Sequence, residues 1–242
     1  MRTATGQPVR LEDYRVPDFL IDSVELDISL DRHATRVVAS LHVRPNPEGR
    51  SGVPLTLDGD ELALVGATLD NAPLAPPAYQ ADPASFTLAN PPNRPFTLRL
   101  ETRLDPAGNT KLMGLYRSGS AYCTQCEAEG FRRITYFLDR PDVLATYRVR
   151  LEADKAEAPV LLANGNLESA GEAANGRHWA VWNDPFKKPS YLFALVAGDL
   201  AHVPDSFTTM SGRRVALGIY VEHGREERKV RTSAIRLTAR ER

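Results

Sequence analysis

Cysteine is scarce in this sequence and confined to one place. Of 242 residues only Cys123 and Cys126 carry thiols, spaced as a single CxxC. A disulfide framework is thereby excluded. A structural zinc site would need a second pair of ligands, and no second CxxC or histidine pair supplies one. A redox pair would open a helix beside a βαβ pattern, which the flanking residues do not show. The bland reading is two reduced thiols packed in a loop. Neither sign of charge dominates: 30 Lys and Arg face 31 Asp and Glu, a formal net charge of -1. No global field therefore draws the chain to nucleic acid or to an anionic membrane. No window approaches the roughly 20 apolar residues of a membrane span. The polar start MRTATGQPVRLEDYR lacks the apolar core of a signal peptide. The expectations are a cytoplasmic location and no nucleic-acid or membrane partner.

Catalytic signatures are equally sparse. The five histidines are His33, His42, His178, His202 and His223; no two lie at i, i+4, and none opens an HExxH. Two imidazoles one helical turn apart, with a carboxylate, are what hold a catalytic zinc. There is no GxSxG elbow, no P-loop and no GxGxxG after a strand. A Cys123 or Cys126 nucleophile would need an imidazole close in space, and only a fold could bring His178 or His202 there.

What the chain does contain is strand. Val24, Leu26, Ile28 and Leu30 alternate with polar or small residues, as do Val37, Ala39, Leu41 and Val43 after the DRHAT turn. That is a hairpin with one wet face, closed by Pro45 and Pro47. Short runs follow at VPLTL, ELALVGATL and SFTLA, then a strand through Phe96, Leu98, Leu100, Thr102 and Leu104. The proline-rich PLAPPAYQADP and ANPPNRP stretches read as loops. Later runs are Tyr147–Leu151, PVLLANGN, RHWAVWND and YLFALVAGDL, with a hairpin from SFTTM to RRVALGIYVE around Ser211 and Gly212. Trp179, Trp182, Tyr191 and Phe193 are expected to fill the inside of a sheet layer. The expected fold class is all-β: a β-sandwich or saddle-like, multi-stranded antiparallel domain. Its expected organisation is an extended arm over 1–20, the β domain over 21–224, and a charged tail over 225–242 that is short helix or disorder.

One stretch breaks the alternation. Residues 123–142, CTQCEAEGFRRITYFLDRPD, crowd Glu127, Glu129 and Asp139 with Arg132, Arg133 and Arg140 among Phe131, Tyr136 and Phe137. A half-buried strand alternates apolar with polar, and this segment does not, so it reads as a shaped loop. Glu129, Arg132, Arg133, Asp139 and Arg140 are its expected scaffold, because Arg–carboxylate pairs within one loop hold a backbone in shape. Taken alone, Glu127 reads as a surface or Arg-paired carboxylate.

The same stretch resembles the aminopeptidase N family of zinc metallopeptidases, the gluzincins, in its bacterial branch. A Thr-Gln-x-Glu stretch, an arginine and an Asp-x-Pro turn fall on Thr124, Gln125, Glu127, Arg132, Asp139 and Pro141. NGN, DPF and LFALVAGD extend the likeness over most of residues 20–224, while the tail after about Arg228 departs from it and the family's HExxH and Gly-x-Met-Glu-Asn stretches are missing. The resemblance implies the N-terminal domain of an enzyme that releases N-terminal amino acids from peptides. It implies zinc in the full-length enzyme and none bound by this chain. The implied partners are the amino terminus of a peptide substrate and a catalytic domain missing here. It further implies that Glu127 binds the substrate's ammonium, with Gln125 beside it lining the first pocket. No catalytic residue and no metal ligand is expected in this chain. The competing reading is a stand-alone β-sandwich binding or docking module without catalysis.

Overall fold

The computed structural model describes residues 10–226 and the backbone of 235–238. A 3₁₀ turn at Leu11–Asp13 lies in the arm, and eighteen strands follow. The first eight are β1 (Phe19–Ser29), β2 (Thr35–Pro45), β3 (Leu55–Asp58), β4 (Ala63–Leu69), β5 (Ala72–Pro73), β6 (Tyr79–Asp82), β7 (Ser85–Leu88) and β8 (Phe96–Leu104). Around the central stretch come β9 (Gly114–Ser118), β10 (Ala121–Gln125), a 3₁₀ turn at Phe131–Arg133, and β11 (Leu144–Asp154). The remainder are β12 (Val160–Ala163), β13 (Asn166–Glu172), β14 (Arg177–Pro189), β15 (Leu195–Gly198), β16 (Ala201–Thr208), β17 (Arg214–Val221) and β18 (Ile235–Thr238), with a 3₁₀ turn at Ser190–Leu192 before β15.

Alternation sets the first hairpin. β1 pairs antiparallel with β2 so that Val24, Leu26 and Ile28 stand opposite Leu41, Ala39 and Val37, and all six are at most 2 % exposed. Each strand of period two thus buries one face. These strands belong to an eight-stranded sheet of order β13-β14-β11-β1-β2-β8-β4-β5. Two smaller sheets, β12-β15-β10-β9 and β3-β7-β6, contribute their buried residues to the same core. In the fourth sheet, β16-β17-β18, the described side chains, those of β16 and β17, contribute none of the core residues.

The structure differs from the sequence reading in several places. β1 and β11 pair parallel, which an antiparallel domain does not predict. A parallel neighbour requires a long crossover, and residues 30–143 supply it. The PLAPPAYQADP stretch contains β6, an edge strand on β7; edges tolerate the prolines that a central strand would not. Phe193 is buried and Trp182 packs against the core, but Trp179 and Tyr191 are only half-buried and stay outside it. Trp179 instead lies under the Arg150 guanidinium, 5.6 Å from its ring centre. Of the tail, Ile235–Thr238 is a strand on β17 rather than helix or disorder; its other residues after Glu226 lie outside the described ones.

Residues 126–143 are a loop, and that loop is also the centre of the core. Phe131, Ile134, Tyr136 and Phe137 are at most 1 % exposed. Phe131 meets Phe137, Tyr147 and Phe193 edge-on at ring distances of 4.9, 5.9 and 5.1 Å. Tyr136 leans on Phe86 of β7 at 6.0 Å, and its hydroxyl donates to the Asp82 carbonyl at 2.7 Å. Thr102 of β8 donates to the Ile134 carbonyl at 3.1 Å. The aromatics therefore bridge the large sheet and the two smaller ones, so the loop is held by the interior rather than by its own turn residues.

Candidate functional site

The site is built outward from β10. Its last residues are fixed on both sides, Gln125 opposite Gly114 of β9 and Cys123 opposite Val196 of β15. Thr124 Oγ1 accepts from the Leu195 N–H at 2.8 Å and donates to the Leu195 carbonyl at 3.2 Å. β15 is held in turn by Asn164, whose side chain accepts from the Ala194 N–H at 2.6 Å and donates to the Leu192 carbonyl at 3.1 Å.

Past Gln125 the chain turns sharply. The Gly130 N–H donates to the Cys126 carbonyl at 2.8 Å, and Cys126 points inward with 2 % exposure. Glu127, Ala128 and Glu129 form the exposed tip, with a cis peptide between Glu127 and Ala128. A Cβ on Gly130 would lie 2.3 Å from the Gln125 carbonyl oxygen and 2.8 Å from Cys126 Cα. Only glycine lets the turn close this tightly. Gln125 Nε2 donates to the Glu127 carbonyl at 3.2 Å, so the two residues singled out from the sequence are adjacent and directly bonded.

The base of the tip is tied by one buried carboxylate. Asp139, 3 % exposed, accepts from the Arg132 backbone N–H at 3.2 Å, from Arg132 Nε at 3.1 Å and from Ser190 Oγ at 2.5 Å. Arg132 also reaches Glu129 at 3.5 Å and Asp58 at 3.8 Å. Burial works against its charge, but Asp58, Asp139 and Glu129 outweigh burial and hold its pKa above the ordinary value. Burial lifts the Asp58 carboxyl above its usual range, with Arg132 opposing. The Cys126 thiol is pushed far up by burial and by the nearby Asp139 charge, which makes it an inert packing group rather than a nucleophile. Burial also raises the Cys123 thiol.

Pairing within the loop holds for Arg132 and for Arg140, whose guanidinium takes both Asp142 oxygens at 2.7 and 2.8 Å. Arg133 departs from that expectation. It reaches out of the loop to Asp60 and Glu61, both at 2.6 Å, and to the Met113 carbonyl at 3.0 Å. Ser190, Asp60, Glu61 and Asn164 are thus supports that reading the loop alone does not find; only the NGN likeness touched one of them.

Against this network Glu127 stands apart. Glu129, Asp139 and Asp142 each meet an arginine, whereas the exposed Glu127 carboxylate has no hydrogen bond or ion pair among the described residues. Two exposed leucines lie close in sequence to residues that hold β10. Leu112, 55 % exposed, precedes by two residues the Gly114 that pairs with Gln125; Leu192, 50 % exposed, precedes by three the Leu195 that holds Thr124. The arrangement offers an unpaired carboxylate on a turn held by its neighbours. Such a carboxylate can bind a cation.

Comparison with known proteins bears on the family. The Peptidase M1 N-terminal domain family matches residues 20–192, and the chain belongs to that family. It is 52 % identical over 228 residues to aminopeptidase N of Caulobacter vibrioides, covering 94 % of this chain and 26 % of that protein. To the aminopeptidase N of Escherichia coli it is 50 % identical over 217 residues, 89 % of this chain and 24 % of that protein. The chain therefore spans about a quarter of the length of these relatives. Among solved structures, Legionella pneumophila aminopeptidase A in complex with aspartic acid matches with a TM-score of 0.87 and 36 % identity, covering 91 % of this chain and 26 % of that one. An M1 zinc metallopeptidase from Deinococcus radiodurans shares the fold at a TM-score of 0.71 and 18 % identity, covering 86 % of this chain and 48 % of that one.

Proposed function

We propose that this chain is the N-terminal domain of a zinc-dependent aminopeptidase that releases N-terminal amino acids from peptides, and that Glu127 grips the substrate's free ammonium. The observation that carries the reading is the unpaired Glu127 carboxylate on a turn whose other acids are all paired. An ammonium is a compact cation with three N–H donors, and a fixed carboxylate is its natural acceptor. Gln125 holds the Glu127 backbone through its amide and lies beside the first side-chain pocket. A site of this kind requires placement to about half an ångström, which the buried Asp139 supports.

Among the described residues no donor set fits zinc. No two histidines are spaced to share it, and among the described residues no three of His, Cys, Asp and Glu converge. The metal belongs to the catalytic domain, and this chain supplies only the carboxylate and amide that orient the peptide end. The exposed Leu112 and Leu192 support burial of this face against that domain.

The test is Glu127→Gln and Glu127→Ala in a complete enzyme carrying this domain. The Michaelis constant for an aminoacyl chromogenic substrate is expected to rise by at least tenfold, about the strength of one charge-assisted hydrogen bond, with the folding transition unmoved. An unchanged Michaelis constant removes the recognition role. The isolated chain with added zinc is expected to show no turnover, and zinc-dependent turnover would overturn the division of labour.

A further inference from the structure

We infer that the free edge of β3 is a docking site for an extended peptide segment, separate from the Glu127 turn. β3 is an edge strand of the β3-β7-β6 sheet, and a groove of about 610 Å³ runs along it. The arm residues Arg15 to Phe19 form one wall, the Glu48–Arg50 turn another, and Leu138 with Arg140 the end. That volume lies within the range of ligand-binding clefts.

Backbone parity shows which way the edge faces. Asp58 exchanges both of its backbone hydrogen bonds with Phe137, at 2.8 and 3.0 Å, on the side of β3 away from β7. Successive residues of a strand turn their backbone groups to opposite edges. Thr56, two residues earlier, therefore directs its N–H and C=O to the same outer edge as Asp58. Its side-chain contact agrees: Thr56 Oγ1 lies 3.2 Å from Thr87 Oγ1, the close approach of a narrow, non-hydrogen-bonded pair. Among the described residues no backbone partner stands opposite Thr56. The chain bonded at Phe137 turns away at once, with the Arg140 N–H donating to the Leu138 carbonyl at 2.8 Å. The groove occupies the place where that ladder would have continued.

The walls define the occupant. The Arg15 guanidinium bonds only to the carbonyls of Glu12 and Tyr14, at 3.1 and 2.7 Å, and meets no carboxylate among the described residues. The Glu48 carboxylate likewise has no ion pair there. Val16, Phe19, Pro54 and Leu138 supply apolar lining. An extended peptide with one acidic and one basic side chain on an apolar background complements all of these, its backbone pairing with Thr56 as an added strand.

The experiment uses the full chain, labelled with ¹⁵N, and the peptide Ac-Val-Thr-Glu-Val-Arg-Thr-amide, whose acetylated end and guanidinium side chain offer Glu127 no ammonium. Expected are amide shifts at Thr56, Phe19 and Arg15 and slowed exchange of the Thr56 N–H. Thr56→Pro removes that outward N–H while leaving the bonds to β7, and is expected to weaken binding about tenfold, the worth of one backbone hydrogen bond. Methylating the facing amide of the peptide tests the same ladder without altering the protein and is expected to have the same effect. The inference is overturned by no shifts at millimolar peptide, by shifts confined to residues 125–130, or by unchanged affinity in either modification. Dimerisation of the chain through this edge, seen in sedimentation with no peptide binding, would overturn it equally.

Discussion

Ser190 donates a 2.5 Å hydrogen bond to the Asp139 carboxylate, joining residues 51 positions apart. One belongs to the loop that ends the central stretch and the other to the turn that leads into β15. Because β15 pairs with β10 and β10 carries Gln125, the bond closes a ring through the base of the Glu127 turn. The backbone of the turn that carries Glu127 is thus set from the interior.

Cutting the ring should cost stability that cutting the tip does not. Asp139→Ala strands the partners of a buried, hydrogen-bonded charge and is expected to lower the unfolding free energy by about 3 kcal/mol. Ser190→Ala should cost about 1 kcal/mol. Glu127→Gln, with no partner to lose, should stay within about 0.5 kcal/mol. Urea denaturation of the three variants gives the order directly, and equal losses at 139 and 127 would contradict it.

The Tyr147 hydroxyl is buried without a hydrogen-bond partner among the described residues, and burial drives its pKa well above the ordinary value. Its ring is held by Phe131, Phe193 and the Lys188 ammonium at 4.3 Å. Tyr147→Phe keeps the ring and deletes only the unsatisfied oxygen. The variant is expected to be neutral or more stable by up to about 1 kcal/mol; thermal unfolding that falls by several degrees would show the hydroxyl to be bonded.

Acid should weaken the fold before base does. A side-chain hydrogen bond from Arg140 holds the Asp142 carboxyl below its usual range, and one from Arg177 does the same for Glu152. A carboxyl with a lower pKa folded than unfolded contributes stability that is complete above its unfolded value, near 4, and is lost as pH falls through the folded value. The urea midpoint is expected to decline from about pH 5 downward. Asp142→Asn should lower the midpoint at neutral pH and make the decline shallower, and a parallel curve would assign the acid sensitivity elsewhere.

The two thiols should separate under alkylation. Cys126 is 2 % exposed and its pKa is far above the ordinary thiol range, so iodoacetamide at neutral pH should leave it untouched until the chain unfolds. Cys123, half-buried and raised less by burial, should label slowly in the folded protein. Peptide mass mapping distinguishes the two sites, and rapid native labelling of Cys126 would refute its placement.

The sequence by itself determined the strands that alternate. Val24 to Ile28, Val37 to Val43 and Phe96 to Leu104 carry their burial pattern in a period of two, which any sheet packed on one face must show. The likeness of residues 124–141 to the aminopeptidase family singles out Gln125 and Glu127, whose recognition role is the proposal made above. Three things were decided only by tertiary structure: the aromatics of the loop as core, Arg133 paired with Asp60 and Glu61 rather than inside the loop, and β11 parallel to β1. Each depends on residues far apart in the chain meeting in space. Local periodicity reports which face of a segment is apolar, but not which distant segment will cover it.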